Sequence, residues 1–126
     1  MMDCELQRIE DMVQETFLRK QSAWVAFVDT GKRFDEAYYV MIFAREDFIN
    51  AKKRLRDGSG TKISVEMANK RRKSAQEEFN YQEKMRRRMR SEFESAQNEH
   101  KYWSEVLRQK RAEIDSCDNY SQKAFS

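Results

Sequence analysis

Asp57-Gly58-Ser59-Gly60 is the strongest turn signal in this chain of 126 residues. It contains two of the three glycines, and the sequence has no proline. Glycine and serine favour turns because they stabilise or tolerate backbone conformations that end a helix. Helical patterns flank the turn, so the sequence predicts an all-α fold with one helix over about 5–57, a turn at 58–61 and a second helix over about 62–115. We expect the two helices to fold back on each other as a long antiparallel hairpin, a coiled coil.

The flanking segments each carry a heptad seam. One follows a spacing of three and four residues from Leu6 to Leu55, and the other from Val65 to Ile114, which is long enough for a coiled coil. Residues that contact each other across the hairpin should lie equally many positions before and after about residue 60 in the sequence. The contacts that this rule predicts include Phe27 with Phe93 and Met41 with Phe79. The poorer matches among them include Phe34 with Arg86 and Phe48 with Arg72, where a long arginine stem can cover the ring. The spacing is lost after the second seam, which predicts a frayed tail over 116–126.

Composition limits the kind of protein further. The chain is 39% hydrophobic and 37% charged, which is typical of long helices and predicts a single helical-hairpin domain over 1–126, or a fragment of a longer protein. No apolar run approaches the ~18 residues of a membrane span. Cys4 and Cys117 are too few for a disulfide scaffold, so we expect a reducing, cytoplasmic setting. The sequence leaves open whether these two cysteines pair and whether Gly58-Ser59-Gly60 is native or an introduced linker.

The sequence carries none of the common catalytic motifs. It has no HExxH, GxSxG, P-loop or GxGxxG arrangement, and its carboxylates are spread along helix faces. The only histidine, His100, falls on the second seam, where a packed histidine is the simpler interpretation. We therefore predict that the chain is not an enzyme and needs no cofactor or metal.

The first helix carries an apolar row beside its seam. The row lies one position on from the seam, and it makes the apolar face of this helix too wide for one partner helix. We expect it to meet a second copy of the chain, a related helical chain, or a missing helix of the same domain. Self-association into a four-helix bundle is the simplest of these, and the predicted interface residues are Trp24, Val28, Tyr38, Ile42 and Ile49.

Positive charge is concentrated around the turn. Fourteen of the 25 basic residues lie between Lys52 and Arg90, against five acidic residues. Such a cluster favours a polyanionic surface, either anionic lipid or nucleic acid. Nucleic acid is the less expected partner, because the chain has no helix-turn-helix, zinc site or RNP-like aromatic motif. The sequence offers no sign of a small-molecule substrate.

Parts of the second helix resemble the last long helix of BAR domains of the sorting-nexin type. The resemblance rests on the segments 67–70, 73–75, 89–93 and 99–107, and on the spacing of small and apolar residues from Ala37 to Leu55; it covers about residues 34–114. It implies a dimer of long kinked helices, either homodimeric or heterodimeric, that binds and bends anionic membranes, commonly on endosomes. The implied lipid-binding residues at the tip are Lys52, Lys53, Arg54, Arg56, Lys70, Arg71, Arg72 and Lys73, and those nearer the middle are Lys84, Arg87, Arg88 and Arg90.

Two functional hypotheses follow from these observations. The first is a dimerising scaffold of membrane trafficking that resembles a BAR module and binds anionic membrane through its basic tip. The alternative is a coiled-coil module of a cytoskeletal, trafficking or assembly complex that binds an acidic protein and no lipid.

Overall fold

The computed structural model describes residues 2–125, with side chains over 4–117. Two helices, α1 (Met2–Arg56) and α2 (Lys62–Phe125), account for all the secondary structure of this part of the chain. They form a helical hairpin, which confirms the predicted fold class. The predicted end of the second helix at 115 is wrong, because α2 continues to Phe125 where a frayed tail was expected. The seam ends before this segment, but backbone hydrogen bonds can continue a helix without it. The segment also contains no proline or glycine to end the helix. Ser126 lies outside the described residues.

The turn ends α1 through a Schellman motif. The amide of Ser59 donates to the carbonyl of Arg54 at 2.9 Å, and the amide of Gly58 donates to the carbonyl of Leu55 at 3.2 Å. Gly58 has a φ of +82°, a conformation that suits glycine because it has no Cβ. Gly60 lies so close to α1 that an added Cβ would come within 2.9 Å of the Cβ of Arg54. Both glycines of the turn are therefore required by its geometry.

The start of α2 is fixed by a side-chain cap. Thr61 Oγ1 accepts a hydrogen bond from the backbone amide of Ser64 at 3.1 Å, and the two hydroxyls lie 2.9 Å apart. This is the usual N-cap arrangement, in which a hydroxyl replaces a missing intrahelical acceptor. The last turn of α1 carries Lys53, Arg54 and Arg56, whose charges are favourable beside the negative end of a helix dipole.

Contacts divide the chain into two compact units, the first made of Met1–Val25 with Ser91–Ser126 and the second of Ala26–Arg90. In the first unit, the Trp24 ring packs against Phe93 with centroids 5.1 Å apart, and Phe17 packs against His100 at 5.6 Å. Thr16 is 1% exposed, and its hydroxyl donates to a backbone carbonyl one turn earlier in α1. The same oxygen lies 3.3 Å from Nδ1 of His100, which accounts for a histidine on the seam.

The second unit contains the turn and is packed by rings and small residues. Phe79 lies against Phe34 at 5.1 Å and against Tyr38 at 6.0 Å. The guanidinium of Arg86 lies over the Phe34 ring at 4.9 Å, and that of Arg72 over Phe48 at 5.0 Å. These two arginine–phenylalanine pairs confirm the predicted register about residue 60.

Alanine occupies five of the seven buried apolar positions in the described part of the chain. Across both units, the buried apolar residues are Ile9, Ala37, Met41, Ala51, Ala68, Ala75 and Ala96. Small residues bring two helices close together, but each of them removes little apolar surface from water. The hairpin therefore leaves many large apolar side chains exposed, and these form the first of the two candidate surfaces.

Candidate interaction surfaces

Residues 37–44 of α1, in the second unit, form an uninterrupted apolar run with the sequence Ala-Tyr-Tyr-Val-Met-Ile-Phe-Ala. Eight residues make more than two helical turns, so α1 is apolar on every side here. The buried residues Ala37 and Met41 face α2, whereas Tyr39, Val40 and Phe43 are 57–61% exposed. A helix that is apolar all round is normally buried all round. This run therefore gives α1 exposed apolar surface that α2 does not cover.

The five predicted interface residues, called the apolar stripe below, all lie on α1. Val28, Tyr38, Ile42 and Ile49 belong to the second unit; Ile42 is half-buried, and the other three are 37–45% exposed. Trp24 belongs to the first unit and is 49% exposed. Each side chain therefore keeps accessible surface, as the prediction of an interface requires.

Sequence reasoning missed several exposed apolar residues beside the stripe. Tyr39 and Val40 were not singled out in the second unit, and neither were Phe17, Leu18 and Val25 in the first, although all five are exposed. The predicted interface contains only residues that lie one position on from the seam, so it did not include all of these exposed residues. The run of eight apolar residues was the available signal for the first two.

The candidate basic residues are concentrated in the second unit, and eleven of the twelve are exposed. On α2, five of them recur at spacings close to whole numbers of helical turns, which places them on one face. We call this the cationic face; its residues are Lys70, Lys73, Lys84, Arg87 and Arg88. Glu66 and Glu77 fall on the same face, so its charge is reduced but stays positive.

Most of these cations are not neutralised by ion pairs. Arg87 pairs with Glu83 at 2.6 Å within α2. By contrast, ten of the candidates form no ion pair with any residue that the structure describes. Seven of these ten make no ring contact either: Lys53, Arg54, Arg56, Lys70, Arg71, Lys73 and Lys84. An exposed cation that forms no ion pair remains available to an external anion. These seven are the strongest candidates for an anionic partner.

Three of the predicted basic residues contribute to packing as well. Arg72 is half-buried and donates from Nε and Nη2 to Oδ1 of Asn69 while it covers the Phe48 ring. Lys52 lies over the same ring at 4.1 Å, and Arg90 lies over Phe27 at 5.8 Å. Such contacts are worth about 0.5–2 kcal/mol each. Replacement of these residues would therefore change stability as well as surface charge.

The first unit has a different electrostatic character, because its charges are paired across the hairpin. Arg19 contacts Glu99 at 2.6 Å, Lys110 contacts Glu5 at 3.1 Å, and Arg111 contacts Glu10 at 3.6 Å. Within α2, the hydrogen bond from Arg108 lowers the pKa of the Glu105 carboxylate below its usual value. Ion pairs of this kind set the register of two helices rather than form a binding site.

Other kinds of site are not evident in the described part of the chain. No three His, Cys, Asp or Glu side chains there are grouped closely enough to hold a metal ion. Cys4 and Cys117 are both exposed and free. Neither helix, as far as it is described, has a stretch long and apolar enough to cross a membrane.

The chain matches no protein-family model, no curated protein and no solved structure.

Proposed function

We propose that the chain is a self-associating, non-catalytic helical scaffold of the BAR type, which pairs through α1 and binds anionic membrane through the basic residues of its second unit. The observation that carries this proposal is the set of seven exposed cations without ion pairs around the turn. The apolar stripe belongs to α1 and the cationic face to α2. The two surfaces therefore have no residue in common.

The number of cations is sufficient for membrane binding. A Lys or Arg near an anionic leaflet contributes about 1 kcal/mol. If four of the seven unpaired cations reach the surface together, they supply about 4 kcal/mol, which is about a thousandfold in affinity. Two copies joined through α1 would double the number of contacts and raise the avidity further. Binding of this kind weakens steeply with salt, because the attraction is screened over about 8 Å at physiological ionic strength.

A second candidate function is a coiled-coil module of a cytoskeletal, trafficking or assembly complex. The observation that favours it is the apolar run at 37–44, which leaves exposed residues on more than one side of α1. A bundle with further helices from other proteins would cover these sides. In that case the basic residues would bind an acidic protein segment, with no lipid involved.

The deciding experiment is co-sedimentation with liposomes that contain phosphatidylserine, beside neutral liposomes, at low and high salt. The test variant carries Lys70→Glu and Lys73→Glu, which reverse two exposed, unpaired cations on the cationic face. The control carries Arg8→Glu and Lys101→Glu, which make the same change of charge at two exposed residues of the first unit.

The membrane proposal expects binding to anionic liposomes alone, lost in the test variant and at high salt but kept in the control variant. Equal loss in the two variants would show that only net charge matters. Absence of binding by the unmodified chain would remove the membrane function and leave the protein scaffold.

A further inference from the structure

Gly31 has no structural reason within the chain itself. It lies in the interior of α1, in the second unit, with an ordinary helical backbone; the one glycine with positive φ among the described residues is Gly58. A Cβ added at Gly31 would meet nothing within 4 Å. Glycine weakens a helix interior relative to alanine because it loses more conformational freedom on folding. The absence of a side chain here is therefore explained best by something outside the chain that approaches the backbone of α1.

The sequence around Gly31 is complementary to itself. Within the second unit, the apolar stripe and the positions between its members form a row on α1 with a regular spacing of three and four residues: Val28, Gly31, Asp35, Tyr38, Ile42, Arg45 and Ile49. The part of this row from Val28 to Tyr38 is symmetric in spacing about Arg33.

The symmetry sets the two apolar residues of this part of the row against each other. A second copy of α1 running in the opposite direction, centred on Arg33, would set Val28 opposite Tyr38. A repeat of alternating spacing is what antiparallel helices need for side-by-side packing.

The centre of the row is complementary in charge. Asp35 would lie opposite Gly31 of the second copy, with Lys32 of that copy one residue further on. Lys32 and Asp35 are both exposed, and neither forms an ion pair with any described residue of its own chain. The symmetry would create two such Lys32–Asp35 pairs, one on each side of the centre. Gly31 would provide the room for Asp35 between the two backbones.

From these observations we infer that α1 binds α1 of a second copy, antiparallel and centred on Arg33, with Gly31 at the point of closest approach. This inference rests on the self-association in the proposed function and specifies its geometry. The occupant of the row is a second copy of this chain, since its pattern and its unpaired charges are complementary to themselves.

Cysteine cross-linking tests the direction and register. In a chain with Cys4→Ser and Cys117→Ser, one preparation carries Val28→Cys and another carries Tyr38→Cys. The antiparallel register sets these two positions opposite each other, whereas identical positions are separated by about 15 Å along the helix, too far for a disulfide. After the two preparations are mixed and oxidised, we expect a disulfide between the two variants and none within either preparation alone.

A mismatched pair serves as the control. Val28→Cys mixed with Ile49→Cys uses two positions of the same row that lie out of register by about 16 Å, so no cross-link is expected. Cross-linking within each single preparation would indicate a parallel pair and overturn the inference. Equal cross-linking of matched and mismatched mixtures would overturn it as well.

Gly31→Leu tests the close approach. Leucine adds apolar surface to an apolar row, so it would strengthen any loosely packed association. In the proposed interface it would instead force the helices apart, and we expect the dissociation constant of the dimer to rise about 10- to 100-fold. The hairpin itself should keep its helicity, because nothing in the chain occupies that space. Unchanged or tighter association would contradict the role assigned to Gly31.

The outcomes separate this inference from the proposed function. A dimer in which the matched pair does not cross-link would refute the register but leave membrane binding by a dimer intact. A matched cross-link in a chain that ignores anionic liposomes would support the register and refute the membrane function.

Discussion

Replacement of Arg86 by methionine should stabilise the hairpin. Arg86 is a half-buried seam residue of the second unit, and its Nε is buried without a hydrogen-bond partner among the described residues. A buried donor without a partner costs about 1–3 kcal/mol. The guanidinium recovers part of this cost, about 0.5–2 kcal/mol, through its position over the Phe34 ring.

Methionine keeps most of what arginine contributes at this position. Its side chain fills a similar space, and its sulfur can contact the Phe34 ring with a gain of about 0.3–1.5 kcal/mol. The buried donor is removed, so the balance favours Arg86→Met by about 1 kcal/mol. For a chain of this length, that gain corresponds to a rise of about 4 °C in the melting temperature. Arg86→Ala should have the opposite effect, because it also removes the packed stem.

The assay is urea and thermal unfolding followed by circular dichroism, with every variant at one chain concentration because association adds to apparent stability. Arg87→Met is the matched control: the side chain of Arg87 is 77% exposed and pairs with Glu83, so its loss should cost less than about 0.5 kcal/mol. If Arg86→Met lowers stability as much as Arg86→Ala does, the guanidinium contributes more than its buried Nε costs, and the argument is refuted.

Further substitutions test the packing, the cap and the charges. Phe93→Ala should cost about 3 kcal/mol in urea unfolding and expose Trp24, which would shift its fluorescence to longer wavelength; unchanged fluorescence would contradict the observed ring contact. Gly58→Ala should cost about 1 kcal/mol because of its positive φ, and a neutral result would contradict the Schellman cap. Tyr38→Glu should shift the chain toward monomer in sedimentation velocity, whereas an unchanged distribution would exclude the apolar stripe from the interface. Glu105→Gln should reduce stability at neutral pH but not in acid, because the lowered pKa of Glu105 stabilises the fold only while the carboxylate is charged; an equal effect at both pH values would contradict this.

The seams made most of the fold predictable from the sequence. Thr16, Ala68 and Gln82 lie on the seams and are buried whatever their polarity, because helical periodicity decides which side of a helix faces its partner. The turn was predictable from its two glycines. The continuation of α2 to Phe125 was not, since backbone hydrogen bonds extend a helix without any side-chain pattern.

The candidate surfaces were predictable in outline only. Charge density located the cationic face, and the seams predicted that Arg72 meets Phe48 and Arg86 meets Phe34. Neither pattern showed that Lys52 lies over Phe48 or that Arg90 lies over Phe27. The apolar row beside the seam predicted the apolar stripe, but the sequence did not show a role for Gly31. The role inferred for Gly31 depends on the empty space that surrounds a Cβ added there, which only the structure shows.

The central claim is that two copies of this chain associate, because the membrane scaffold and the register of α1 both require it. Sedimentation equilibrium over a micromolar concentration range measures this directly. The account predicts a mass of twice the 15.2 kDa of the chain, falling toward a single chain in Tyr38→Glu. A stable mass of one chain across that range would contradict it.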